Sequence, residues 1–282
     1  MRFGAHVPTR GRLSRAIDYA VTVGAETIQL FISNPRAWAP PSSRDDQLEE
    51  FTARRRTAGI GPVFVHSSYL INIASPNPQV QARSVVLAGQ ERAAAGSIGA
   101  DGLVVHAGSG APGERTAAME RAAASIKVIL DAPGPPVLLE LTAGGGGSVA
   151  STIPHAAMLL EAIDDERVGL VLDTCHLLSA GYPLDEPGAA PTPFEELREA
   201  GLAGRLRLLH ANDSRDARGS RRDRHAHIGR GTIGDEGFAA ILADETVRKL
   251  PILIETPDDE PEDLRNLASL RRLAAFDDPP SG

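Results

Sequence analysis

Six short apolar runs of this sequence end in a side chain that binds protons or cations. VFVH stops at His66, LVVH at His106, VLLE at Glu140, LVLD at Asp173, LRLLH at His210 and ILIE at Glu255. Taken singly, each reads as well as a hydrogen-bonded polar cap on a strand. Taken together they make a chemical problem. Three carboxylates (Glu140, Asp173 and Glu255) brought into one pocket would repel and raise one another's pKa unless cations neutralise them. Neutral imidazole with Asp and Glu is the ligand set of zinc and related divalent ions. Two local spacings extend the set: DTCH puts His176 three residues after Asp173, and DRH puts Asp223 two before His225, so that both point the same way in extended chain. His176, Asp223 and His225 form a three-ligand group with a coordination position left for water or substrate, as catalytic sites require.

The elements that must bring these residues together follow from hydrophobic patterning. Apolar runs occur at Arg2–Val7, Thr27–Phe31, Pro62–His66, Gly102–His106, Val137–Leu141, Val168–Asp173, Leu206–His210 and Ile252–Glu255. Most lack polar alternation, as expected of strands covered on both faces. Between them lie helix-compatible segments such as LSRAIDYAVTVGA, DQLEEFTARRRTAG and PQVQARSVVLAGQERAAAGSIGA. Eight strands alternating with helices predict an α/β protein with a (β/α)8 TIM barrel over residues 1–282, a single domain with a frayed tail at 277–282. In a barrel all strand C-termini share one face, so the six terminal residues converge on one mouth. An open doubly wound sheet is the runner-up, but no Gly-x-Gly-x-x-Gly turn follows the first strand. YPLDEPGAAPTP (182–193) reads as a long loop.

Composition agrees with an ordinary globular chain of 282 residues: 42% hydrophobic and 23% charged, with 4% aromatics, so that Leu, Val, Ile and Ala must build the core. The lone cysteine, Cys175, excludes an intrachain disulfide and suits a reducing compartment. The first residues, MRFGAHVPTRG, lack the apolar stretch of a secretory signal, and no segment reaches membrane-spanning length, so the expected location is cytoplasmic. A formal charge of −8 argues, taken alone, against a polyanionic partner. One stretch runs the other way: SRRDRHAHIGRGTIG (220–234) concentrates arginine beside Asp223 and His225.

The motifs GAHV, NPRAW, HSSYLIN, HAGS, ELTAG, DTCH, AGY, HANDS, GSRRDRHAHIGRGTIG and ILIETP span the chain in order, and together they resemble the endonuclease IV family of apurinic/apyrimidinic endonucleases. The resemblance implies a TIM barrel with three Zn2+ per chain, one of them replaceable by Mn2+, that cuts duplex DNA 5′ to an abasic site and leaves 3′-OH and 5′-deoxyribose phosphate ends. It implies that His66, His106 and Glu140 hold one zinc. Glu140 would bridge to a second, completed by Asp173, His210 and Glu255, and the third would sit on His176, Asp223 and His225. Glu140 would position the attacking hydroxide, with a lesser role for Glu255 as proton acceptor. DNA-probing positions fall on Arg36, Tyr69 and Leu70. Arg215, Arg221, Arg224 and Arg230 would follow phosphates, with Arg218 and Arg222 in the same loop. The chain is expected to act as a monomer. Arg230 stands where an acidic residue is usual and Arg215 where lysine is usual; HAGS lacks a proline and VPTRG departs from the usual VS beginning.

Bound zinc would offset most of the formal charge, and the arginine-rich loop would give salt-sensitive binding. Tyr69 and Leu70 could wedge into the base stack, with Arg36 opposite, while the abasic nucleotide turns into the metal pocket. The rival reading is a metal-dependent sugar isomerase or epimerase on the same barrel. It needs one or two ions and has no use for a third ligand group or an arginine-rich loop. Of the leftover histidines, His6 is expected near the pocket, His155 on a helix surface and His227 outside the ligand set.

Overall fold

The computed structural model describes residues 1–9, 12–42, 45–257 and 260–275; the tail expected to fray at 277–282 lies outside them. Eight parallel strands close into a barrel: β1 (Arg2–His6), β2 (Thr27–Leu30), β3 (Val63–His66), β4 (Gly102–His106), β5 (Val137–Glu140), β6 (Val168–Asp173), β7 (Leu206–His210) and, after a two-stranded excursion of β8 (Asp213–Ser214) and β9 (His225–Ala226), β10 (Pro251–Ile254). β1 closes on β10, and the other barrel strands neighbour one another in chain order. The helices between them include α1 (Ser14–Val23), α2 (Asp45–Ala58), α3 (Pro78–Ser97), α4 (Arg115–Ile129), α5 (Ile153–Ile163), α6 (Thr174–Ala180), α7 (Thr192–Glu199), α8 (Gly234–Ala243) and α9 (Glu260–Ala274). The expected TIM barrel is present. Strand ends differ from the sequence reading by one residue in places: Glu255 lies just past β10, and the loop read as 182–193 ends earlier because Thr192 already opens α7.

Local chemistry explains where elements start and stop. Asn77 caps α3 by accepting from the backbone N–H groups of Gln79 and Val80, with Pro78 in the first turn where no N–H is needed. Gly24 ends α1 with φ +69, in the left-handed region that a side chain resists.

Side-chain alternation then sets the layers. In a strand, residues two apart share a face, so the polar terminal residues lie directly above Phe64, Val104, Leu138, Val171, Leu208 and Leu253. Those six form an apolar cluster of their own, separate from the main core between sheet and helices. The barrel interior is therefore an apolar plug capped by a polar ring. Gly102 serves the plug: a Cβ there would come within 2.5 Å of the Leu138 side chain. Strand register completes the ring by pairing His106 with Glu140 and Asp173 with His210 across adjacent strands.

Candidate metal centre

All nine residues expected to bind metal meet at the C-terminal mouth of the barrel. Their donor atoms form three groups: His66, His106 and Glu140; Glu140, Asp173, His210 and Glu255; and His176, Asp223 and His225. Glu140 belongs to two of them, one oxygen to each. Its Oε2 lies 3.2 Å from His66 Nε2 and 3.3 Å from His106 Nε2, and its Oε1 lies 3.3 Å from His210 Nδ1. His210 Nδ1 also lies 3.3 Å from Glu255 Oε2. In the third group Asp223 reaches His176 Nε2 at 3.2 Å and His225 Nε2 at 3.1 Å. Asp173 stands between the second and third groups, 3.5 Å from His225 Nε2.

Two observations test whether a divalent ion fits. Ligands about 2.0–2.1 Å from a tetrahedral ion stand about 3.3 Å from one another; the His66, His106, Glu255 and Asp223 contacts above are close to that, whereas His210 Nδ1 and Asp173 Oδ2 stand 4.0 Å apart. The histidines are also oriented as ligands. His66, His176 and His225 direct Nδ1–H to the backbone carbonyls of Ser67 (2.8 Å), Leu141 (2.9 Å) and Glu255 (2.9 Å), which leaves Nε2 facing the cluster. His210 is reversed: its Nε2–H donates to Gln29 Oε1 at 3.0 Å, so Nδ1 faces the carboxylates. The Nε2 atoms of His176 and His225 are buried without a hydrogen bond although Asp223 is near, as for two donors aimed at a common third atom. The residues fit metal ions. A fourth grouping, Asp173 with Cys175 and His225, is weaker in chemistry. Without metal, burial and the Asp173 charge push the Cys175 thiol up to about 12.

Without metal, protons must do the neutralising. Burial alone would depress the His66 imidazole, but the Glu140 hydrogen bond and the Glu255 and Glu140 charges outweigh it and raise the pKa to about 9. His225 is likewise raised to about 9, burial being outweighed by Asp173 and Asp223. His176 and His210 shift upward for the same reason. Burial works against ionisation of Glu140, yet the His210 and His106 charges hold it well below the usual carboxylate range. Glu255 is held low by His210 and by its bond to His6, and Asp223 by His176 and His225, in each case against burial. A buried ring of opposite charges that must share protons or metal is typical of a functional site.

Neighbours fix the candidate ligands. Gln29 sits among them with no exposed surface, donating to Glu255 Oε1 at 2.5 Å and accepting from His210. His6 lies 3.3 Å from the same Glu255 oxygen. Asn212 donates to Asp173 Oδ2 at 2.6 Å and accepts the backbone N–H of Glu255 at 2.7 Å, tying β6 to the end of β10. The sequence reading put His6 near the pocket but gave no role to Gln29 or Asn212. The signal for Gln29 was a lone polar residue inside the apolar run TIQL.

The third group is assembled by loop docking. The 215–224 segment leaves β8 and returns as β9, and it lies on the end of α6, the helix that carries His176. Gly219 N–H donates to Leu178 O and Arg221 N–H to Ser179 O, both at 2.9 Å, and Ser179 Oγ donates to Arg222 O at 2.7 Å. Asp213 holds the far side by accepting from the N–H groups of Gly231 (2.9 Å), Ile233 (2.9 Å) and Gly234 (3.3 Å). A Cβ on Gly231 would come within 2.4 Å of that carboxylate. His227 contacts Asn266 at 3.1 Å and stays out of the metal groups, as expected. His155 is half-buried on α5, bonded to Thr152 at 2.9 Å and to Arg115, rather than on the open surface.

A cleft of 1180 Å³ opens over these groups. Of the expected DNA-contacting residues, Arg36, Tyr69, Arg215 and Arg224 line it, together with Arg12, which the sequence reading did not single out. Leu70, Arg221 and Arg230 are not among the lining residues. Leu70 is half-buried, Arg221 faces the 144–147 glycine loop with its carbonyl, and Arg230 pairs with Glu262 of α9 at 3.0 Å. Several loop arginines are held by acids: Arg224 Nε on Asp216 at 2.6 Å, Arg222 on Asp216 at 3.6 Å and Arg218 on Glu186 at 2.6 Å.

Residues 17–275 match a protein family described as a xylose isomerase-like TIM barrel. A curated relative from Persephonella marina, "Probable endonuclease 4", is 37% identical over 277 residues, 97% of each chain. The chain belongs to the endonuclease IV family. The crystal structure of endonuclease IV from Thermus thermophilus is similar with a TM-score of 0.86 and 30% identity, covering 97% of this chain and 98% of that one. A D-psicose 3-epimerase from Clostridium cellulolyticum shares the fold alone, at 17% identity and a TM-score of 0.68, covering 98% of this chain and 99% of that one. Among the described residues no helix is long and apolar enough to cross a membrane.

Proposed function

We propose that this chain is a zinc-dependent DNA-repair endonuclease that hydrolyses the phosphodiester 5′ to abasic sites in duplex DNA, leaving 3′-OH and 5′-deoxyribose phosphate ends. It acts as a cytoplasmic monomer whose single barrel domain holds three Zn2+. The observation that carries the reading is the third donor group, His176–Asp223–His225, standing beside two groups that share Glu140. Sugar isomerisation on this scaffold has no use for it. The family's name supports the same reaction class.

When bound, divalent ions would lower the pKa of water at the mouth and offset the charge developing on phosphate oxygens and the leaving 3′ oxygen. The chain's own residues supply placement. Glu140, directing one oxygen to each of two groups, sets their spacing. Glu255 has Oε1 occupied by Gln29 and His6, so Oε2 alone faces the cluster, as a ligand and a secondary proton acceptor. The apolar plug closes the barrel beneath and keeps water to the cleft side. Arg36, Arg215 and Arg224 along the cleft wall would meet phosphates. Tyr69, 58% exposed at the rim, would enter the space left by the missing base. Leu70, Arg221 and Arg230 would act at longer range or by holding loops.

The test combines metal analysis with a nicking assay on a duplex bearing one abasic site. The expected outcome is about three zinc per chain and a cut 5′ to the lesion without added Mg2+. Zinc-loaded protein that leaves the duplex intact, or one ion per chain with epimerase activity, would overturn the proposal. Tyr69→Ala should impair lesion binding with zinc retained; loss of zinc instead would make Tyr69 a structural anchor.

A further inference from the structure

The Arg36 and Tyr69 sides of the cleft are held by one buried carboxylate that the proposed chemistry does not use. Arg36 sits on the loop after β2, and Tyr69 on the loop after β3. Glu91, on α3 and 1% exposed, points between the two loops. Its Oε1 accepts from Ser33 Oγ at 2.5 Å on the first loop, and its Oε2 accepts from the Ser68 N–H at 3.2 Å on the second.

The loops also meet directly, with one carbonyl taking two hydrogen bonds across the junction. Pro35 O accepts from Ser68 Oγ at 2.9 Å and from the Tyr69 N–H at 3.1 Å. One residue further on, the Arg36 N–H donates to Asn34 Oδ1 at 3.0 Å, which sets the turn that presents the guanidinium. The same helix holds the first loop a second time. Arg83, about two turns before Glu91, lies 4.5 Å over the Trp38 ring. The junction reaches the metal ligands through ring contacts, Tyr69 edge-on to Phe31 at 5.0 Å and Phe31 to His66 at 5.6 Å.

We propose that Glu91 is a positioning residue that locks the Arg36 and Tyr69 loops into one unit, so that both engage the substrate together. A carboxylate suits the place because it offers two acceptor oxygens to donors on different loops. Removing it would leave the Ser68 N–H buried without that acceptor, and would take away the one side chain that hydrogen-bonds to both loops at once among the contacts described above. The latch is a property of the folded chain; its consequence for substrate rests on the nuclease reading.

The experiment uses the full-length, zinc-loaded protein and hydrogen exchange of peptides covering residues 33–38 and 67–72. In Glu91→Ala both segments should lose protection together, roughly tenfold or more, with β5 protection and metal content unchanged. Glu91→Gln should restore most of it, since its oxygen can accept from Ser68 N–H while its amide donates to Ser33 Oγ. On a duplex carrying a tetrahydrofuran abasic analogue, Glu91→Ala should raise KM roughly tenfold with kcat within about twofold. Loosening of one segment only, loss of protection throughout the barrel strands, a Gln variant no better than Ala, or a fall in kcat at unchanged KM would each overturn the proposal. Should Glu91→Ala not fold, Ser33→Ala cuts one arm: loosening that reaches 67–72 supports the latch, and loosening confined to 33–38 refutes it. A wild-type protein that fails to nick the duplex would refute the nuclease reading and leave the exchange result standing.

Discussion

The mouth of the barrel holds two kinds of candidate metal ligand. His66, His106, Glu140, Asp173 and His210 end regular strands, with Glu255 one residue beyond β10, so parallel neighbours on both sides fix their backbone. His176, Asp223 and His225 come from a short helix, an irregular segment and a two-residue strand that must dock on one another. Exposure does not follow that division, since His106 in the inner groups is 33% exposed and His176 in the outer group 3%, but the most exposed of the nine is Asp223, on the docked segment, at 51%. Ligands built into a sheet are held by the fold, while ligands carried by a docked loop are held by a few hydrogen bonds. The outer group should therefore bind its ion more weakly and release it first, since local opening draws on the least-packed segments.

Glu140→Gln gives the largest expected effect, because it preserves volume but removes the charge shared by two groups. Metal analysis should show loss from both, and turnover should fall on the order of 10³-fold; retention of full metal would deny Glu140 its bridging place. Asp223→Asn comes next and sharpens the contrast between regions. It should cost one ion per chain and roughly 100-fold in rate, leaving the inner ions in place; a collapse of all binding would erase the contrast between the two regions. Asn212→Ala, which unties Asp173 from the Glu255 backbone, should weaken inner-site affinity by roughly 10- to 100-fold as read by chelator competition.

The pH behaviour of metal-stripped protein probes both regions at once. His66 in the inner ring and His225 in the outer group have folded-state pKa values raised to about 9 from 6.5. Their proton-dependent stabilisation is fully present below about pH 6.5 and is lost as pH rises through about 9. Bound metal would hold both rings deprotonated and remove that loss. The gap in Tm between loaded and stripped protein should therefore widen from about pH 6.5 to about 9.5; a constant gap would mean that these histidines do not exchange protons for metal. The smallest expected effect is on salt dependence. Arg215→Ala should lower the slope of log Kd against log salt by about one for duplex DNA, whereas Arg230→Ala, already paired with Glu262, should leave it nearly unchanged. Equal effects would show that the Glu262 pair opens on binding.

Much of the site was legible because period-2 alternation in strands is a local rule. A run such as VLLE places Glu140 above Leu138 whatever the rest of the chain does, and a barrel then sends that position to the common mouth. The nature of the ligands was likewise readable, since Asp, Glu and His at the end of apolar runs have few other means of burial. The roles of Gln29, Asn212 and Glu91 were not readable. Each is an ordinary polar residue in sequence, and its importance comes from atoms contributed by distant segments, Glu91 meeting Ser33 across 58 positions.

The arginine-rich loop marks the boundary most clearly. Its composition announced positive charge beside Asp223 and His225, and that much stood in the sequence alone, as did the barrel and the nine donor residues. Which arginines face the cleft was decided by tertiary structure. Asp216, Glu186 and Glu262 lie close enough to claim Arg224, Arg222, Arg218 and Arg230, and Arg224 still lines the cleft. Charge is a property of the residue, but its direction and its partners are properties of the fold, because Coulombic attraction and hydrogen bonding depend on separations that only packing sets.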